Sequence, residues 1–222
     1  MIIAERKPLA EIVEMTRNHE KVLVLGCRGC VTVCSAGGDR EVELLASLLR
    51  LGAKKEGRTL EVQEGSLVRQ CDKEYIDSLD DWKDGYDAIV SMACGVGVNF
   101  IANLRPSTVV YPGVNTSFFG GSPEQGFWTE QCAGCGNCVL HLTGGLCPVA
   151  RCAKSLFNGP CGGSQNGKCE IHSEVDCIWQ MIHDRLESLG RKEQMLEVAP
   201  IRDWRPAGHG GPRKTIRDDL TV

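Results

Sequence analysis

Residues 131–138 read QCAGCGNC: three cysteines at two-residue intervals, with small residues between them. Three thiolates so spaced can converge on one centre, because Gly134 and Gly136 let the loop curl and turn its backbone amides inward. The candidates for that centre are an iron–sulfur cluster, a zinc ion or a redox thiol pair. Cys132, Cys135 and Cys138 supply three ligands, and the fourth must come from elsewhere. Five more cysteines follow: Cys147, Cys152, Cys161, Cys169 and Cys177. The eight together suffice for two four-thiolate sites. The expected division gives Cys132, Cys135, Cys138 and Cys177 to one site, with Cys169 the next choice as its fourth ligand. Cys147, Cys152, Cys161 and Cys169 would form the other. Structural zinc usually takes two separated two-cysteine knuckles, so the triple run favours [4Fe–4S] clusters, with zinc as the alternative.

The bacterial ferredoxin arrangement has three cysteines at this spacing and then Cys-Pro after three residues. Here the Cys-Pro is Cys147–Pro148, farther along, so the match is partial. The other five of the 13 cysteines lie upstream. Cys27 ends the run KVLVLGC, Cys30 and Cys34 follow in the next loop, Cys71 precedes an expected helix, and Cys94 ends DAIVSMAC. In an open parallel sheet, ligands bind beyond the carboxyl ends of the strands, the edge at which Cys27 and Cys94 would arrive. A third metal site is expected from four of these five. The competing readings are free cysteines packed as small apolar residues and, for Cys94 at a helix entry, a low-pKa thiolate. Of His19, His141, His172, His183 and His209, only His141 lies near the triple cysteine loop and is a candidate ligand. GCRGC lacks the dinucleotide-binding spacing, and ACGVGVNF reads as a helix entry. No nucleophile elbow, phosphate-binding lysine loop or zinc-protease motif is present.

The elements that must position these thiols fall into two regions. Residues 8–20 have helical spacing, 21–27 read as a buried strand, and 39–57 as a capped amphipathic helix. A strand at 59–65, a helix at 72–85, a strand at 86–94, a helix at 97–107 and a strand at 108–113 continue the alternation. It predicts an α/β domain over residues 1–120, Rossmann-like, with a parallel sheet. After a Gly- and Ser-rich connection, residues 129–177 show almost no periodicity and few aliphatic residues. So short a segment buries too little apolar surface to hold a core, and bound metal would supply what is missing. A small irregular, metal-dependent Cys-rich domain is therefore expected over 121–194. It ends in a helix (173–194) on which Ile178, Met181, Ile182 and Leu186 share a face. Residues 195–222, rich in Pro, Gly and Arg, read as an extended tail that docks a partner. The net charge of −4 argues against a nucleic-acid or anionic-membrane surface. No apolar run reaches 18 residues, so no spanning helix is expected, and charges near the N-terminus oppose a signal peptide. The expected location is the cytoplasm, where clustered cysteines more often bind metal than form disulfides.

The segment QCAGCGNCVLHLTGGLCPVARCAKSLFNGPCGGSQNGKCEI resembles the cysteine-rich small subunit of the methylenetetrahydrofolate reductases of acetogenic and related anaerobic bacteria, the methylenetetrahydrofolate reductase C-terminal domain family. The likeness is strongest at CAGCGNC, LCPVARC and NGPCGGSQNGKCE, and extends weakly to GCRGCVTVCSAGG and IRDWRP. The resemblance implies an oxidoreductase subunit of one-carbon metabolism, in the Wood–Ljungdahl pathway, that carries electrons and not the carbon chemistry. In that family a flavin-containing barrel subunit reduces methylenetetrahydrofolate to methyltetrahydrofolate. The cysteine-rich subunit beside it has been regarded both as zinc-binding and as an iron–sulfur carrier. A donor such as ferredoxin, or another iron–sulfur subunit, would reduce the clusters, and electrons would pass to the partner's flavin. The chain itself shows no flavin- or folate-binding pattern. Two other readings compete: a zinc-built scaffold subunit of the same complex, and a free-standing reductase that uses its α/β domain and Cys94.

Overall fold

The computed structural model describes residues 1–82, 85–208 and 211–220. The chain divides into two compact units, Met1–Trp128 and Thr129–Val222. The first contains, in order, β1 (Ile2–Arg6), α1 (Leu9–Met15), β2 (Lys21–Cys27), α2 (Cys30–Val33), α3 (Asp39–Lys55), β3 (Glu61–Leu67), α4 (Lys73–Asp77), β4 (Ala88–Ser91), α5 (Gly95–Leu104), β5 (Val109–Pro112) and β6 (Val114–Glu124). A further strand, β7 (Phe127–Cys132), carries the chain toward the second unit.

The expected alternation and parallel sheet are borne out. Four strands pair in the order β3-β2-β4-β5, all parallel. β2 explains why helices cover both faces. Its side chains alternate, so Val22 and Val24 enter one apolar cluster with Ile12, Val42, Leu45 and Leu49, from α1 and α3. Leu23 and Leu25 enter another with Ile76, Leu79 and Ile101. A strand buried on both faces reads as a continuous apolar run, which is what KVLVLGC is. α3 buries Val42, Leu45, Ala46, Leu49 and Ala53, one face at helical spacing. Its first turn is fixed by the Glu41 carboxylate, which accepts a hydrogen bond from the Gly38 N–H at 2.9 Å. Asp39 and Glu41 at its start and Lys54 and Lys55 at its end complement the helix dipole.

Two expectations need correction. The connection at 114–128 is not a linker: β6 pairs antiparallel with β1, and β7 completes a second sheet in the order β1-β6-β7. The pairing joins segments more than a hundred residues apart, as in the bond from the Met1 amino group to Gly120 O, 3.0 Å. Gly120 and Gly121 interrupt the local pattern, so no window of sequence displays it. The helix expected at 72–85 is shorter: α4 ends at Asp77 and a 3₁₀ turn covers Ser78–Asp81. Residues 83–84 lie outside the described residues.

The second unit has little regular structure. α6 (Pro148–Arg151) is a single turn, and α7 (Ile178–Ser188) is its longest helix. α7 ends in a Schellman cap: Gly190, at φ 65°, donates to Glu187 O at 3.0 Å, and Arg191 donates to Leu186 O at 2.8 Å. The expected shared face holds in part, with Ile178, Ile182 and Leu186 buried and Met181 packed at the edge of the same cluster. The tail is not free along its described length. Arg202 and Ala207 are buried, and Arg213 donates to Gly134 O at 2.7 Å. Among the described residues, no helix is long and apolar enough to cross a membrane.

Candidate metal centre

Residues 161–177 fold into a compact knuckle whose turn is legible in the sequence. Asn166 and Gly167 both have positive φ, 53° and 77°, the conformation of a two-residue type I′ turn, for which Asn-Gly is the favoured pair. Gln165 and Lys168 pair across this turn, and Lys168 pairs in turn with Asp176. Cys169 N donates to Val175 O at 2.8 Å, and Cys177 N to Gly167 O at 2.7 Å. These bonds bring Cys169 and Cys177 onto neighbouring segments of the knuckle. Cys177 is also the N-cap of α7, so the apolar face of that helix anchors the thiol. Cys152, at the C-cap of α6, packs against the same apolar cluster.

The result is one cavity lined by Cys152, Cys161, Cys169 and Cys177, with Lys154 and Glu170 beside them. Cys177 therefore stands with Cys152, Cys161 and Cys169, where the expected division placed it with the triple loop. Lys154 pairs with Glu170, whose carboxylate also accepts from Cys161 Sγ at 3.5 Å. The lysine and then the thiol hold that carboxyl below its ordinary range.

The triple loop has its own local order. Gly134 and Gly136 have positive φ, 59° and 78°. A Cβ on Gly136 would lie 2.5 Å from Pro206 O, so the tail closes on this loop only because a glycine is there. Gly134 N donates to Cys132 Sγ at 3.4 Å, and Gly163 N to Cys161 Sγ at 3.4 Å. Each amide is aimed at the sulfur two residues back. Arg202 adds a cation: its Nη2 donates to Cys135 Sγ at 2.8 Å and also to Asn137 O. Its guanidinium lies over Trp204, 4.7 Å from the ring centre, and over Phe157 at 5.8 Å. Among the described residues, its Nε and Nη1 are buried without a hydrogen-bond partner. A buried cation with unmatched donors is costly unless negative charge lies beside it. The donor set thus fits an anionic, sulfur-rich group. Sequence reasoning missed Arg202, since nothing in IRDWRP shows that it folds back onto a cysteine.

The remaining candidates separate cleanly. Cys138 is exposed, and Cys147 is half-buried at the N-cap of α6. His141 lies in a 3₁₀ turn, Leu140–Leu142, and is exposed; His209 lies outside the described residues. Among the described residues, no three His, Cys, Asp or Glu side chains already stand within one coordination sphere. In the first unit, Cys27 and Cys34 are buried, Cys30 and Cys94 half-buried, and Cys71 exposed.

Comparison with known protein families gives a match to part of the chain. A search of curated proteins and a search of solved structures returned none. Residues 111–205 match the family described as "Methylene-tetrahydrofolate reductase C terminal", a stretch that contains all eight C-terminal cysteines and Arg202. That segment therefore belongs to the methylene-tetrahydrofolate reductase C-terminal family, the one its cysteine motifs resemble.

Proposed function

We propose that the second unit holds two [4Fe–4S] clusters and carries electrons to the flavin of a methylenetetrahydrofolate reductase barrel subunit, in the cytoplasm. The observation that carries this reading is the grouping of Cys152, Cys161, Cys169 and Cys177 around one cavity. It leaves Cys132, Cys135, Cys138 and Cys147 as a second set of four, ending in Cys-Pro as in ferredoxins. When bound, such clusters supply one-electron transfer at potentials set by hydrogen bonds and burial. The residues of the chain set those terms. Gly134 N and Gly163 N donate to sulfur, and Arg202 places positive charge on Cys135. Each stabilises the more negative, reduced state and so raises the potential. A ferredoxin-like donor would supply the electrons, and hydride transfer to the pterin would belong to the partner's flavin.

A zinc scaffold is the second reading, and a specific feature favours it. The two amide-to-sulfur turns at Cys132 and Cys161 suit zinc knuckles as well as clusters. Metal analysis of anaerobically purified protein separates the two. Brown protein with iron and acid-labile sulfide in equal amounts is expected; colourless protein containing zinc alone would overturn the proposal.

A further inference from the structure

The first unit carries thiols that the family match leaves out. Its parallel sheet runs from β2 outward to β3 and then crosses back to β4 on the other side of β2. Between β2 and β4 the connections leave in opposite directions, the topological switch point at which ligands usually sit in open α/β sheets. Both strands deliver a cysteine there. Cys27 is the last residue of β2, and Cys94, three residues past β4, is the N-cap of α5. Cys71 arrives from the loop that follows β3.

A single buried side chain ties these three segments together. Gln70 is fully buried, and its amide donates to Leu25 O at 2.9 Å and to Gly26 O at 2.8 Å. Its Oε1 accepts from the buried Ser91 hydroxyl at 2.6 Å. Each anchor lies within three residues of a cysteine: Gly26 beside Cys27, Gln70 beside Cys71, and Ser91 near Cys94. α5 enters hard against the same amide, since a Cβ on Gly97 would sit 2.9 Å from Gln70 Cβ and 2.7 Å from Ala93 Cβ. A fully satisfied buried network fixes geometry where apolar packing would only fill space.

The other two thiols are told apart by their surroundings. Cys34 is in the apolar core, with its S–H directed at Ala4 O and Val31 O, both at 3.6 Å. Cys30 is half-buried at the start of α2 and completes with Cys27 the two-residue spacing of a metal knuckle.

We propose that Cys27, Cys30, Cys71 and Cys94 form a four-thiolate site at the carboxyl edge of the α/β sheet, for a thiophilic metal bound as an iron–sulfur cluster or as zinc. Cys27 and Cys94 are held by the Gln70 network, while Cys71 comes from the loop after β3 and Cys30 from the first turn of α2. Arg69, two residues before Cys71, brings a positive charge to the same loop. The site is independent of the two sets in the second unit.

Cys71 makes the test direct, because it is exposed and so open to an alkylating reagent unless metal holds it. The full chain, purified without oxygen, is alkylated with iodoacetamide before and after metal removal, and the labelled cysteines are read by mass spectrometry. Protection of Cys71 in the native protein and labelling after removal are expected. Cys71→Ser should lose one site's complement of metal, while Cys34→Ala keeps it. Loss of iron with sulfide identifies a cluster, and loss of zinc identifies zinc. Free-thiol labelling of native Cys71, or full metal retention in both Cys71→Ser and Cys94→Ser, would overturn the proposal. If those variants keep their metal while Cys169→Ser loses some, this site fails and the second-unit reading stands. A native chain without any metal would sink both.

Discussion

The two units hold themselves together by different means. The first buries eighteen residues in one apolar cluster and seven in another, on the two faces of a parallel sheet. Among the described residues, the apolar cluster of the second holds five, all on or next to α7. At about 1.5–3 kcal/mol for each large apolar side chain, five cannot offset the ordering of a unit this size. Yet the second unit has eight cysteines, a buried unmatched guanidinium and several glycines in left-handed conformations. On the proposed reading, the contrast gives bound metal a different part in each unit. In the first unit it would occupy an edge that is already built, whereas in the second it would complete the fold.

The largest effect should follow metal removal. Chelation of the full chain, followed by limited proteolysis, should degrade the second unit and leave a resistant fragment close to Met1–Trp128. Equal resistance throughout would break the contrast. Core truncation comes next. Leu186→Ala and Leu23→Ala both remove fully buried side chains and should each cost about 2–5 kcal/mol. Urea titration should show the first loss in the second unit and the second loss in the first unit, with metal content lowered only by Leu186→Ala.

A smaller effect is expected from Arg202→Gln. Without the cation at Cys135 the reduced state is less favoured, so one midpoint potential should fall by tens of mV, against about 59 mV for a tenfold change. An unchanged potential with intact metal would remove Arg202 from the tuning role. The smallest should come from Asp87→Asn. The Asp87 carboxylate accepts from Glu20 N at 3.0 Å and Lys21 N at 2.8 Å, and these bonds hold its pKa below the ordinary value. Its contribution is present above the ordinary carboxylate pKa and fades as pH falls through the lowered one. The variant should therefore melt slightly lower than the parent at neutral pH and converge with it in acid.

Legibility in the sequence followed the range of the interactions. β2, β4, α3 and the α7 face were readable because local periodicity and caps determine them. The Asn166–Gly167 turn also has a local signal, though it did not enter the expected fold. β1 and β6 were not, because they pair across the length of the first unit. The eight-thiolate total came directly from composition, but the grouping of Cys177 with Cys152, Cys161 and Cys169 depends on a knuckle closed by backbone bonds. Gln70 and Arg202 carry no local signal. One is a glutamine beside a cysteine and the other an arginine in a polar tail, and only the folded chain gives each its partner.

The central claim is that the second unit carries electrons. An electron paramagnetic resonance redox titration of the anaerobically purified full chain tests it most directly. The account predicts reversible one-electron signals from low-potential clusters, lost together with iron when Cys169 is replaced by Ser. A chain that holds zinc and stays silent across the whole potential range would contradict it.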